Sequence, residues 1–182
     1  MRIVERGIMR ILITGTPGTG KTSVGKELAE RMGAPFLRIA DVAKKEGIVK
    51  GGEVDVKALR AALLKRMRGN LVVEGHLGCE FSLPVDFVFV LRTHPSILEQ
   101  RMKGRRYPEK KRKENLLSEM LDYCLQLSEK HYNVPVLQVD TSRGTPSRSA
   151  GRIEKFLKGK VKKLDRVDWG KELRKKTKGA LQ

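Results

Sequence analysis

Apolar positions along this 182-residue chain fall into two alternating patterns. Continuous apolar runs, of the kind buried inside parallel sheets, occur at Ile11-Leu12-Ile13, Leu71-Val72-Val73 and Phe87-Val88-Phe89-Val90-Leu91. Shorter runs at 35–39 and 134–140 predict two more strands, and Pro135 places the last at a sheet edge. Between the runs, apolar residues recur at helical spacing: Val24, Leu28 and Met32; Val56, Leu59, Leu63 and Met67; Leu116, Leu117, Met120, Leu121, Cys124 and Leu127. The predicted helices follow the first strand, span 42–46 (capped by Asp41, stopped by Gly47), and run from Asp55 to Gly69-Asn70. Three more are predicted over 95–102, over 109–132 as one long helix, and over 147–157 behind Thr145-Pro146. Residues 50–53 read as a turn. Strands alternating with helices predict a three-layer α/β/α fold on a five-stranded parallel sheet, whose ligands bind beyond the carboxyl ends of the strands. That rule gathers the loops after Thr14, Glu74, Arg92 and Asp140 on one side.

The loop after Thr14 carries the chemistry. Gly15-Thr16-Pro17-Gly18-Thr19-Gly20-Lys21-Thr22 matches G-x-x-x-x-G-K-[ST], between a strand and a helix as the phosphate-binding loop requires. Glycines let successive N–H groups turn inward on a phosphate, and the following helix adds its positive end. Lys21 then reaches the β- and γ-phosphates of a nucleoside triphosphate, and the Thr22 hydroxyl meets Mg²⁺. The match arises by accident in on the order of one chain of this size in a hundred, and its flanks make chance less common still.

A second stretch bears on phosphates. Residues 101–114 hold eight basic and two acidic residues, and Arg101 and Arg105, four apart on a helix, project together. Gly104 and Pro108 punctuate the stretch. Phosphoryl transfer needs positive charge closing over the transferring group, which an Arg-rich flap supplies. The competing reading is an exposed basic loop serving solubility or RNA.

Composition adds charge. Lys and Arg number 39 against 21 Asp and Glu, a formal +18. Such a charge favours polyanionic partners, RNA among them, although phosphate substrates also favour positive clefts. Three Asn and four Gln beside this charged content fit a thermophile's composition. Cys79 and Cys124, far apart and without ligand spacing, suit a reducing compartment. No apolar run has the length of a bilayer span, and the first residues lack a secretory apolar core, so a cytoplasmic protein without a membrane contact is expected. Met9 opens directly into the first strand, so residues 1–8 read as an extension or an alternative start.

The run Arg101-Met102-Lys103-Gly104-Arg105-Arg106 resembles the segment entering the lid of adenylate kinases. With Gly15–Thr22, Val72-Val73-Glu74-Gly75-His76, Val90-Leu91-Arg92-Thr93 and Tyr107-Pro108-Glu109, the chain is similar over about 10–157 to the atypical adenylate kinases of archaea and the eukaryotic nucleus. These are the adenylate kinase isoenzyme 6, or coilin-interacting nuclear ATPase, family. The resemblance implies one P-loop nucleoside triphosphate hydrolase-type kinase domain across 1–182, converting ATP and AMP to two ADP and also hydrolysing ATP. It implies action in late small-ribosomal-subunit maturation through a platform ribosomal protein. By position it implies ATP binding by Gly18, Gly20, Lys21, Thr22, Ser23 and Arg105, with Arg101 also on the transferring phosphate. The monophosphate segment is about 38–61 and the lid about 104–114.

Two departures stand out. The family usually has Asp-x-His where this chain has Glu74-Gly75-His76, one methylene longer toward a metal-bound water. Lys44 stands where members often have arginine, and an ammonium lacks the bidentate fork. His76, at a strand's carboxyl end, is positioned to orient water or to contact the acceptor; the alternative is a packed histidine. His94 and His131 read as structural, and Glu80 and Asp86 as turn and strand-entry residues.

The tail, about 160–182, continues the basic character: 160–178 holds nine basic and three acidic residues around Trp169. It reads either as a helix docked by Trp169 and presenting charge to rRNA or an acidic partner, or as a solvated terminal helix. Three functions remain open: the adenylate kinase/ATPase; a metabolic kinase for another small acceptor, such as a cytidylate or shikimate; and a nucleotide-switch assembly factor with little AMP turnover.

Overall fold

The computed structural model describes residues 7–51 and 53–179. The main sheet is parallel throughout, in the order β2 (Phe36–Arg38), β5 (Leu71–Glu74), β1 (Arg10–Gly15), β6 (Phe87–Arg92) and β7 (Val136–Asp140). The chain leaves β1 toward β2 and β5 on one side, and returns to β6 and β7 on the other. A crevice therefore opens where the order reverses, at the carboxyl end of β1.

Strand alternation decides the two cores. Leu12, Val73, Val88 and Val90 face one layer, with α2 (Ile39–Lys45), α3 (Val56–Leu64) and α6 (Tyr123–His131). Ile11, Ile13, Val72, Phe89 and Leu91 face the other, with α1 (Lys21–Met32) and α7 (Pro146–Leu157). Both faces of the sheet are covered, which is why these strands read as unbroken apolar runs. A third cluster joins α4 (Pro95–Gly104) to α5 (Glu109–Met120) through Leu98, Met102, Leu116 and Met120. Trp169 and Leu173 pack on it, Leu173 from the terminal helix α8 (Gly170–Gly179) and Trp169 from just before it. The tail is thus docked by Trp169 and solvated on its outer side.

Two caps match the sequence: Asp55 accepts from the Ala58 N–H at 3.0 Å, and Thr145 from the Arg148 N–H at 3.2 Å ahead of Pro146. Elsewhere the structure corrects the expected boundaries. Asp41 does not cap α2, which starts at Ile39 directly off β2; Asp41 lies in the first turn and bonds Arg38 instead. Helix α3 ends at Leu64, ahead of Gly69-Asn70. The expected single helix over 109–132 breaks into α5 and α6 at Asp122, whose φ of 55° is left-handed. Lys50 and Glu53, expected in a turn, are strand residues: β3 (Val49–Lys50) pairs antiparallel with β4 (Glu53–Val54). Most of the 1–8 extension, residues 1–6, lies outside the described residues, as do 180–182 of the tail.

After α7 the chain runs back along the outer side of β7. Asp165 and Gln138 form an antiparallel bridge, the Asp165 N–H donating to the Gln138 carbonyl at 3.2 Å. The Asp165 carboxylate accepts the Asp140 N–H at 2.7 Å and pairs with Arg152 at 2.6 Å. Among the described residues no helix is long and apolar enough to cross a membrane.

Candidate active site

The loop from Gly15 to Gly20 has the curl its glycines permit. A Cβ at Gly15 (φ +138°) would lie 2.4 Å from the Leu91 carbonyl oxygen, so only glycine lets β1 and β6 approach there. Gly20 (φ 92°) opens α1, whose first turn carries no acidic residue, so its positive end is left for an anion. Thr19 Oγ1 donates to the Thr16 carbonyl at 2.9 Å, and Lys21 Nζ to the same oxygen at 3.1 Å. Lys21 is buried, and burial lowers its pKa, with Glu74 pulling the other way.

Two clefts flank this loop. The first is lined by Lys21, Thr22, Arg38, Glu74, His76 and Arg105, among others. Thr22 Oγ1 donates to Glu74 Oε2 at 3.1 Å, so the hydroxyl and a buried carboxylate stand together beside the loop. Oxygen donors of this kind suit a hard cation held mainly by phosphates and water, and Mg²⁺ fits them. Glu74 owes its place to the end of β5; its register partner on β2 is Arg38, whose Nε lies 3.6 Å from Glu74 Oε2.

His76 opens a 3-10 turn, His76–Cys79, at the base of the same cleft. Its Nδ1 lies 3.2 Å from the Gly15 carbonyl, which assigns the ring proton to Nδ1 and leaves Nε2 as an acceptor. Burial and the Lys21 charge depress its pKa from the ordinary 6.5. A depressed histidine favours the folded state when neutral, and that contribution is lost as pH falls below the unfolded value toward the lowered folded one. Urea melts from pH 7.5 to pH 5 are therefore expected to show falling stability below about pH 6.5, with a shallower slope in His76→Asn. An unchanged slope in the variant would assign the pH dependence to other groups.

The second cleft lies on the β7 side of the loop and is lined by Gly18, Ser23, Arg101, Arg105, Thr141 and Thr145, among others. Arg101 Nη2 donates to the Thr141 carbonyl at 2.6 Å and Nη1 to Thr93 Oγ1 at 3.3 Å, which braces the guanidinium against β6 and β7. Burial, then repulsion from Arg105, lowers its pKa. Arg105, just past α4, borders both clefts and is the only lid arginine that does so among the described residues. Every site residue expected from the sequence therefore lines one cleft or both.

The sequence reading missed what lies around them. Lys44 is exposed and absent from the cleft lining, whereas Arg38 lines it. Glu119 on α5 is 2% exposed and holds four elements together. It accepts Thr16 Oγ1 at 2.6 Å, Arg92 Nε at 2.9 Å, the Thr93 N–H at 3.0 Å and Trp169 Nε1 at 3.2 Å. Burial opposes the charge of Arg92, but Glu119 and Asp122 outweigh it and hold the guanidinium above its ordinary pKa. A carboxylate inside the apolar stripe Leu116-Met120 was the available signal. Cys79 and Cys124, distant in sequence, are free thiols packed on His76: Cys79 Sγ donates to the His76 carbonyl at 3.2 Å, and Cys124 Sγ lies 3.5 Å from its Nδ1. His94 caps α4 by accepting the Ser96 N–H, and His131 bonds the Cys79 carbonyl, both in structural positions. Asp86 accepts the Arg10 N–H at strand entry, and Glu80 the Tyr123 hydroxyl.

The AAA domain family profile matches residues 11–122. A "Putative adenylate kinase" of Pyrococcus furiosus is 38% identical over 170 residues, covering 90% of this chain and 92% of that protein. One of Archaeoglobus fulgidus is 37% identical over 175 residues, covering 91% and 94%. Among solved structures, a shikimate kinase from Acinetobacter baumannii in complex with shikimate superposes with a TM-score of 0.63 at 22% identity, over 84% of this chain and 94% of that one. A gluconokinase from Sinorhizobium meliloti gives 0.56 at 22% identity, over 86% and 99%. At that identity they establish the three-layer P-loop kinase fold.

Proposed function

The chain belongs to the P-loop nucleoside monophosphate kinases, beside these archaeal relatives, and is a phosphotransferase; from that premise we propose that it transfers the γ-phosphoryl group of ATP to AMP, giving two ADP. The observation that carries the reading is the arrangement about the loop. Two clefts meet there, Lys21 lines one, Arg101 lines the other, and Arg105 borders both. A donor held on the Arg101 side and an acceptor on the Arg38–His76 side would face each other across the loop.

In this reading the loop N–H groups and Lys21 hold the β- and γ-phosphates, with Gly18, Gly20 and Ser23 shaping the bed. Thr22 and Glu74 hold the cation, which when bound neutralises charge on the β- and γ-oxygens. Arg101 fixes the donor from β6 and β7. Arg105 closes over the group in transfer, where positive charge counts most. His76, neutral with Nε2 accepting, stands on the acceptor side, where it orients a hydroxyl or a water. Segment 38–61 then serves the monophosphate and 104–114 the lid, all within one domain across 1–182.

The proposal extends to ATP hydrolysis when water replaces AMP, and to late maturation of the small ribosomal subunit with a platform protein as partner, in the cytoplasm. Its support is electrostatic. The exposed Lys110, Lys111 and Lys113 of α5 and Lys171, Lys175 and Lys176 of α8 lie on two helices packed about one apolar cluster. A phosphate backbone such as rRNA is the partner such a surface favours.

An acceptor panel tests the central claim. Purified protein with ATP and Mg²⁺ is given AMP, CMP, shikimate or no acceptor, and ADP and free phosphate are followed separately. ADP formed in twofold excess over ATP consumed, with AMP alone, is the expected result. Phosphorylation of another acceptor instead, or phosphate release unaffected by AMP, would replace it with a metabolic kinase or a nucleotide switch.

A further inference from the structure

The first cleft holds a cation that the transfer step does not use. Lys21 and Arg105 are taken up by the phosphates in transfer, and among the described residues the remaining basic side chain lining that cleft is Arg38. Its position is dictated by topology. Arg38 ends β2 and Glu74 ends β5, and the two are register partners in parallel strands, so their side chains leave the sheet on one face. The first helix after β2 starts at once, which keeps Arg38 at the mouth instead of carrying it outward.

The guanidinium is only half committed. Nη1 reaches both carboxylate oxygens of Asp41, at 3.3 and 3.4 Å. Nε is buried yet has no hydrogen-bond partner among the described residues; Glu74 Oε2, at 3.6 Å, is close enough to attract it but too far to accept a hydrogen bond. Leaving a buried donor of a charged group unpaired is costly, and such groups in native folds call for an explanation. A guanidinium held this loosely, on a side chain 39% exposed at the cleft, is available to an arriving oxyanion. The chemistry also fits the placement of Lys44: at the position where a phosphate-gripping arginine is expected, it is exposed and away from the cleft.

Resting on the transfer to AMP proposed above, we infer that Arg38 is the acceptor-recognition residue of this chain, the exposed part of its guanidinium gripping the monophosphate's phosphate. Asp41 on Nη1 and the Glu74 charge beside Nε orient the guanidinium, so the grip is preorganised and the arginine loses little freedom on binding. The same Glu74 oxygen, Oε2, accepts from Thr22, so one carboxylate oxygen stands beside both the donor-side hydroxyl and the acceptor-side arginine. The preference for a phosphate-bearing acceptor over water then lies in β2, outside the lid and outside position 44.

The test compares Arg38→Lys, Arg38→Gln and Lys44→Ala with the wild type. AMP affinity is read by calorimetry without ATP, and KM for AMP and for ATP by steady-state kinetics. Arg38→Lys is expected to weaken AMP binding and raise its KM by roughly 10- to 100-fold, and Arg38→Gln by more, because charge-assisted hydrogen bonds are lost. KM for ATP should move by far less, and the free phosphate released per ADP formed should rise. Lys44→Ala should leave KM for AMP within about twofold, as expected for an exposed residue away from the cleft. If the wild type converts AMP and the Arg38 variants lose only thermal stability or kcat, with KM for AMP unmoved, Arg38 is a structural partner of Glu74 and the inference fails alone. A loss confined to Lys44→Ala overturns it equally. A wild type that neither binds nor converts AMP removes the adenylate kinase reading and this inference with it.

Discussion

Lys21→Ala is expected to lower ADP formation by roughly 10²- to 10³-fold, the scale on which a preorganised site suffers when one charge-stabilising donor is removed. The structure sharpens this beyond the motif. Lys21 is buried and burial lowers its pKa, so holding its charge costs the folded protein stability. Without a ligand its ammonium is satisfied by the Thr16 carbonyl alone among the described residues. The variant should therefore melt at the wild-type temperature or above it while turnover collapses. Calorimetric melts beside an enzyme-linked ADP assay read both. Turnover retained within tenfold would remove Lys21 from the mechanism, and a large drop in Tm would mean that the loop, and not the chemistry, had failed.

Glu119→Ala should have the opposite profile, with stability lost first. Its carboxylate is the shared acceptor for Thr16, Arg92, the Thr93 N–H and Trp169, and removing it leaves buried donors on the first three and a half-buried one on Trp169. Breaking a buried ion pair by deleting one partner costs about 3 kcal/mol or more, which in a chain of this size lowers Tm by roughly 6–12 °C. Asp122, Gln138 and the Glu119 carbonyl still bond Arg92, which keeps the loss toward the lower end. KM for ATP should also rise, because Thr16 belongs to the phosphate loop. Glu119→Gln keeps the volume and separates charge from packing; a Tm equal to wild type in both variants would show that the network contributes no net stability.

How much of this was legible depends on whether a residue's partners are near it in sequence. Gly15, Gly18, Gly20, Lys21 and Thr22 act as one local unit, so their spacing alone announces a phosphate site. Glu74 was legible in two steps: the apolar run 71–73 places it at a strand's carboxyl end, and the resemblance of Glu74-Gly75-His76 to the family's Asp-x-His gives it a role. The helix break at Asp122 was not, since the apolar period runs on through Leu121, Cys124 and Leu127, and only the tolerance of Asp for left-handed φ permits the kink. Glu119 was hidden for another reason: its bond to Thr16 spans 103 residues, and neither position means anything without the other. Arg38 likewise gains its meaning from the strand that happens to lie beside it, which periodicity cannot supply.

The tail's charge draws attention to its outer face, but its inner path has a separate consequence. A five-stranded open sheet has two free edges, and each is a template on which another chain can grow. Here β2 blunts one edge by being three residues long. At β7 the polypeptide returning from α7 lays Asp165 against Gln138 and Asp140 and fastens it through Arg152. The segment leading into the basic helix thus acts as a guard against aggregation, and a chain cut before Asp165 would keep its nucleotide loop while exposing a sticky strand.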